Sequence, residues 1–206
     1  MIRVLTNADR NDEPDLFRQM YRARAAIFAD RLGWNVKVTD GYEIDRYDTE
    51  HDPVYLVSDD GNGRLTGSLR LLPTTGETML CNEFADFFEE PVDVRSPTAW
   101  ECTRFCVHPN GSLTAAGERT RVSCELLAGL CDLCLTSGIE HIVGLYDERM
   151  TRVYRRIGWS PVPLAISRPG ISPLIVGIWE VSTDALATIR NSMAREKDFR
   201  SGRFAA

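Results

Sequence analysis

The stretch from Val54 to Leu72 limits the fold more than any other part of the chain. Two runs of strand-forming residues, Val54 to Ser58 and Arg64 to Leu72, flank Asp59-Asp60-Gly61-Asn62-Gly63, a turn rich in residues that tolerate positive φ. A hairpin is expected there, so the chain must hold a sheet with at least one antiparallel pair. Upstream, Asn11-Asp12-Glu13-Pro14 combines a capping side chain, acids for a first turn and an early proline, which start a helix expected to reach about Ala29. Downstream, Thr98 to Val107, Ile139 to Tyr146 and Pro173 to Val181 read as strands. Leu113 to Ser137, stopped by Gly138, and Glu148 to Ile157 read as the helices between them, and a last helix follows Ser182. Strands joined as hairpins and strands separated by helices predict an α/β fold, a three-layer α/β/α sandwich with a mixed central sheet. At 206 residues a single domain over 1–206 is expected, with a polar tail frayed from about residue 195.

Composition removes several functions. A net charge of −6 argues against nucleic acid as a partner. No apolar run approaches the ~20 residues of a membrane span, so no membrane partner is expected. Met1-Ile2-Arg3-Val4-Leu5-Thr6-Asn7 turns polar too soon for a signal peptide, which makes the cytoplasm the expected address. The six cysteines are then expected to be free thiols, mostly small core residues. Cys102, Cys106, Cys131 and Cys134 have short gaps that suggest zinc. Yet the first pair falls on a strand and the second inside an apolar helix, unlike a zinc knuckle, and no metal is expected. His51, His108 and His141 lack ligand spacing and are expected at the surface or at caps.

Chemistry concentrates between Ala23 and Asp48. Arg24 and Phe28, four apart on the first helix, can face one pocket. Glu43, Asp45 and Asp48 bring three carboxylates into six residues, within a segment from Gly33 to Pro53 that reads as a long loop. Arg70, and Arg104 beside Glu101, lie on predicted strands and could answer that charge. Trp34 stands in polar surroundings without apolar periodicity, which favours a pocket role.

This run resembles the signature of the acyl-homoserine-lactone (autoinducer) synthase family: Arg24, Phe28, a basic residue at Arg31, Trp34, then Glu43-x-Asp45-x-Tyr47-Asp48. Arg70, Phe84, Glu101 and Arg104 follow in the family's order, and the similarity spans about residues 20 to 110. The family shares its core with the GNAT N-acetyltransferases. Tyr154-Arg155-Arg156-Ile157-Gly158-Trp159 resembles the end of their penultimate helix, whereas His108-Pro109-Asn110-Gly111-Ser112 represents their pyrophosphate loop poorly.

The resemblance implies an acyltransferase that joins S-adenosylmethionine to an acyl thioester and releases methylthioadenosine. Both are substrates, and no cofactor is implied. The expected catalytic residues are Glu101, Arg104, Asp45, Asp48, Arg70 and Arg24, with Glu101 the candidate base, directly or through water. Asp45 and Asp48 would hold the ammonium and sulfonium end, an arginine the substrate carboxylate, and Trp34 and Phe28 would offer aromatic faces to the sulfonium. Phe28, Trp34, Glu43, Phe84, Phe105, Gly144 and Tyr146 are the expected substrate-binding set. The acyl chain would enter between the strands Thr98–Val107 and Ile139–Tyr146. Arg149, Arg152 and Arg156, with Arg155, would dock an acyl carrier protein or coenzyme A.

Plainer readings stand beside these. Arg24, Asp45, Asp48 and Arg70 could be a buried ion network that only shapes the loop. Phe28 and Phe84 could be core, and the arginine helix could be a solvated face. Glu101 and Arg104, three apart on a regular strand, point to opposite faces unless a bulge or sharp twist intervenes. The GNAT-like core implies one.

Overall fold

The computed structural model describes residues 1–108, 116–170 and 172–201. Seven strands form one mixed sheet: β1 (Ile2–Leu5), β4 (Val54–Asp59), β5 (Leu65–Pro73), β6 (Ala99–Val107), β7 (His141–Asp147), β9 (Leu174–Glu180) and β8 (Val162–Ile166), in that order. The α/β class and the mixed sheet are as expected. Chain contacts gather into two compact units: Met1–Leu71 with Arg104–Leu126, and Leu72–Thr103 with the residues from Leu127 onward.

In the first unit β1 and β4 pair antiparallel, and β4 and β5 form the expected hairpin, with Tyr55 opposite Arg70. Helix α1 (Pro14–Arg24) starts where expected with proline at its first position, but the expected capping bond is missing, since Glu13 at the cap makes no side-chain bond to the helix. Its Leu16, Phe17, Met20 and Tyr21 pack on Leu5, Tyr55, Val57 and Leu65, a cluster closed to solvent. The helix then widens into a π-wound segment, Ala25–Arg31, where regular α winding was expected. The segment from Gly33 to Pro53 is also more ordered than a long loop. Strands β2 (Val38–Thr39) and β3 (Tyr42–Glu43) pair across Asp40 and Gly41, both with positive φ (53° and 79°), as a two-residue type I′ turn demands. The short helix α2 (Arg46–Thr49) follows directly.

In the second unit β6 and β7 run parallel, in register from Ala99↔His141 to Glu101↔Val143. β7 pairs antiparallel with β9, and β9 with β8 at the sheet's edge. The sequence did not announce β8, whose Pro163 suits only an edge strand. Helix α3 (Ala116–Thr136) crosses from the first unit's residues into the second's, and Gly138 follows it at φ 71°. Helix α4 (Met150–Ile157) ends at Gly158, left-handed at φ 86°, and α5 is Thr183–Ser201. Residues 109–112 of the candidate pyrophosphate loop, and 202–206 of the tail, lie outside the described residues.

The six cysteines are free thiols, and among the described residues no group of three His, Cys, Asp or Glu is arranged to hold a metal. Among those residues, too, no helix is long and apolar enough to cross a membrane. His108 corrects an expectation. It is buried just past β6, where Ser68 Oγ lies 2.9 Å from its Nε2, instead of lying at the surface. Burial, partly offset by its bond to the Leu65 backbone, pushes its pKa down to about 4.

Candidate active site

The site grows from a local motif. Asp45 caps α2: its Oδ1 accepts the Tyr47 N–H at 3.0 Å, and Asp48 Oδ2 accepts the Asp45 N–H at 2.9 Å. This reciprocal capping box fixes two carboxylates one turn apart before any distant residue is involved. Glu43, two residues earlier on β3, supplies the third.

Three arginines close on these acids. Arg24, at the end of α1, donates from Nη1 and Nη2 to the two Asp48 oxygens at 3.0 and 2.8 Å, and from Nε to Glu43 at 2.5 Å. Arg70, on β5, donates to both Asp45 oxygens at 2.5 and 2.9 Å, and its Nη1 lies 2.9 Å from Asp48 Oδ1. Arg104, on β6, reaches Glu43 at 2.9 Å and Asp45 at 3.0 Å. Arg104 has φ 52°, a left-handed residue inside a strand. The buried side of β6 changes parity there, so Glu101, Thr103 and Arg104 are all buried. The expected irregularity is therefore a single backbone inversion, at Arg104.

Burial alone would raise the Asp48 carboxyl, but the guanidiniums of Arg24 and Arg70 outweigh it and hold the group far below the usual carboxylate range. Glu43 is lowered in the same way, its burial outweighed by Arg24 and Arg104. Arg24 would be lowered by burial, yet Asp48 and Glu43 keep it well above its ordinary value. Asp48, Glu43 and Arg24 are therefore charged at neutral pH.

Exposure separates the acids. The Glu43 and Asp48 side chains are closed to solvent, whereas that of Asp45 retains 18% of its surface. Both Asp48 oxygens are occupied within the cluster, by Arg24, Arg70, the Asp45 amide and the Tyr55 hydroxyl, which donates at 2.8 Å. The aromatic wall follows the arginines. Arg104 Cζ lies 5.3 Å from the centre of the Phe28 ring, and Phe28 lies 5.3 Å from the Trp34 ring, 37% of whose residue surface is open. Arg70 Cζ lies 5.3 Å from the buried Tyr47 ring. The first unit thus brings together Arg24, Phe28, Trp34, Glu43, Asp45, Asp48, Arg70 and Arg104. Arg24 and Phe28 meet through Arg104 and Glu43, not as neighbours on a regular helix.

Glu101 and Phe84 belong to the second unit. The buried Glu101 carboxylate accepts the backbone N–H groups of Met79 at 2.8 Å and Leu80 at 3.0 Å. Phe84 and Leu145 pack on an apolar cluster of Leu80, Phe88, Val143 and Val176. Gly144 is buried, and a Cβ there would lie 3.1 Å from the Cys102 carbonyl oxygen. Tyr146 meets Tyr154 and Trp179 edge-on. Arg149, Arg152, Arg155 and Arg156 are exposed, and Arg149 pairs with Asp147 at 3.0 Å. Phe105 is half-buried on β6. Sequence reasoning did not single out Tyr55, whose hydroxyl joins the acids at Asp48.

Residues 7–170 match the model of a family described as autoinducer synthase. The chain belongs to that family. An acyl-homoserine-lactone synthase of Rhizobium etli is 56% identical over 198 residues, which cover 95% of this chain and 91% of the relative. Among solved structures, a CoA-dependent acyl-homoserine lactone synthase, BjaI, with SAM and isopentyl-CoA, superposes with TM-score 0.80 at 23% identity, covering 94% of this chain and 89% of that one. An acyl-CoA N-acyltransferase from Pseudomonas aeruginosa reaches 0.54 at 13% identity, over 88% and 99% of the two chains. The autoinducer synthase fold of this chain is therefore GNAT-like.

Proposed function

We propose that this protein is an acyl-homoserine-lactone synthase, which acylates the amine of S-adenosylmethionine from a thioester and closes the product to a lactone. The observation that carries this reading is the buried cluster of three arginines and three acids, open to solvent chiefly through Asp45 and walled by Phe28 and Trp34. A sulfonium nucleoside with an ammonium and a carboxylate matches such a site. Asp45 takes the ammonium, Trp34 gives the sulfonium and nucleoside an aromatic face, and an arginine of the cluster takes the carboxylate. Asp48 has no comparable opening and serves to hold Arg24 and Arg70.

The amine must lose a proton to attack the thioester carbonyl, and Glu101 is the base we assign, directly or through water. The Met79 and Leu80 amides fix its orientation, so the proton is taken by a lone pair outside those two bonds. The amine nitrogen bonds to the carbonyl carbon, a backbone N–H of β6 near Phe105 stabilises the oxyanion, and as that oxyanion collapses the carbon–sulfur bond breaks, the sulfur leaving as a thiol with the second proton that the nitrogen sheds. The substrate carboxylate oxygen then bonds to the carbon next to sulfur, the carbon–sulfur bond breaks, and neutral methylthioadenosine departs. The acyl arm enters where β6 and β7 cease to pair, past Glu101↔Val143, with Gly144, Leu145, Tyr146 and Ile157 along its path. The exposed arginines of α4 receive the donor, acyl carrier protein or coenzyme A. The reaction takes place in the cytoplasm.

Mass spectrometry of lactones made in a host lacking its own synthase, with methylthioadenosine release by the purified protein, tests the reading. A lactone formed together with methylthioadenosine is expected. Acylation of an amine without methylthioadenosine would make the protein a GNAT-type N-acyltransferase of another substrate.

A further inference from the structure

Tyr55 is wholly buried, so it touches no substrate, yet its hydroxyl donates to Asp48 Oδ1 at 2.8 Å. Arg70, its cross-strand partner in the β4–β5 register, lies 2.9 Å from the same oxygen. Further polar groups stand nearby. The Tyr21 hydroxyl accepts from Arg10 Nη2 at 3.0 Å. Arg10 Nη2 also reaches the Asp48 carbonyl oxygen at 2.8 Å. A carboxylate can only accept, so the single proton of Tyr55 is committed to Asp48.

We propose that the Tyr55 hydroxyl positions the S-adenosylmethionine site from behind. It fixes the rotation of Asp48, Asp48 fixes Arg24 and Arg70, and Arg70 fixes Asp45, the acid that reaches solvent. This rests on the synthase reading. The Tyr55 ring meets Phe17 edge-on at 5.5 Å, a contact that Tyr55→Phe keeps while removing only the hydroxyl. Asp48 would retain both arginines and the Asp45 amide but lose one of the bonds that orient its carboxylate. The acyl donor binds through other residues and should not register the change.

Steady-state kinetics of Tyr55→Phe, read by methylthioadenosine release, test this. Tyr55→Phe should raise KM for S-adenosylmethionine five- to tenfold, with kcat within twofold and KM for the acyl donor unchanged. A lowered melting temperature with an unchanged KM for S-adenosylmethionine would overturn the proposal and make the hydroxyl structural. Equal rises for both substrates would overturn it as well. A wild-type enzyme that releases no methylthioadenosine would instead sink the synthase reading, and this proposal with it.

Discussion

Asp48 holds the backbone N–H of Asp45 at 2.9 Å, so the two acids are tied by their own turn of chain and yet face different surroundings. Asp48→Asn should leave Arg24 and Arg70 short of a buried counter-charge and destabilise the fold by roughly 3–5 kcal/mol. Asp45→Asn keeps a capping side chain at a partly solvated position and should cost only about 1 kcal/mol. Its kcat/KM for S-adenosylmethionine should nevertheless fall about a hundredfold, the equivalent of roughly 3 kcal/mol. Urea denaturation beside methylthioadenosine release distinguishes the two. Similar stability losses in both variants would refute the division.

Trp34→Ala should weaken S-adenosylmethionine binding while leaving the melting temperature nearly unchanged. The ring is only partly covered, chiefly by Phe28, so truncation exposes little that was dry. Calorimetric titration with the nucleoside and a thermal melt suffice, and a large stability loss with intact binding would reassign the ring to the core.

His108 makes stability depend on pH. Its folded value, about 4, lies below the ordinary 6.5, so between those values the unfolded chain binds more protons than the folded one. Stability should therefore fall as pH drops from about 6.5 to about 4, by up to about 3 kcal/mol. The arginine-paired Asp48 and Glu43 are lowered carboxylates, so their contribution is full above the ordinary carboxylate range and lost only at lower pH. Urea midpoints at pH 4.5 and 7 should differ in the wild type and converge in His108→Gln. An equal difference in both proteins would place the titration elsewhere.

Gly158→Ala should destabilise the second unit by about 2–4 kcal/mol. The backbone is left-handed there, and a new Cβ would lie 2.5 Å from Thr188 Cγ2. Thr188 is held in its rotamer by a 2.8 Å bond to the Asp184 carbonyl. Adding Thr188→Ser should recover the steric part and not the backbone part. Full recovery would show that φ at Gly158 costs nothing.

Reversing Arg152 and Arg156 to glutamate should raise KM for the acyl donor several-fold and spare that for S-adenosylmethionine. Both side chains are exposed, so stability should hardly move. Equal effects on the two substrates, or none, would make this helix an ordinary solvated face.

The large elements were legible because each left a long periodic or capped segment, as at Glu13-Pro14 and at the turn from Asp59 to Gly63. Short elements were not. The two-residue strands β2 and β3 are too brief for alternation to register, although Asp40-Gly41 carries a hairpin turn's own residues. Seven residues of π winding give the same apolar spacing as a helix end. β8 was hidden by Pro161 and Pro163, which break the residue pattern of a strand. At the site, the residue types were legible from one dense run, but their partners were not. Nothing in the spacing says that Arg24 takes Asp48 and Glu43 while Arg70 takes Asp45. Tyr55 shows the limit most clearly, since it joins the acids only because β4 and β5 set it opposite Arg70.

Arg24, Arg70 and Arg104 carry as much positive charge as Glu43, Asp45 and Asp48 carry negative. Such deep pairs exchange little with mobile ions, while the charges of the exposed arginines of α4 are screened over a Debye length of ~8 Å at physiological ionic strength. On the proposed reading, ionic strength is therefore a dial that reaches one end of the reaction and not the other. Adding salt should loosen an anionic donor at α4 and leave the neutral cluster around Asp48 as it was.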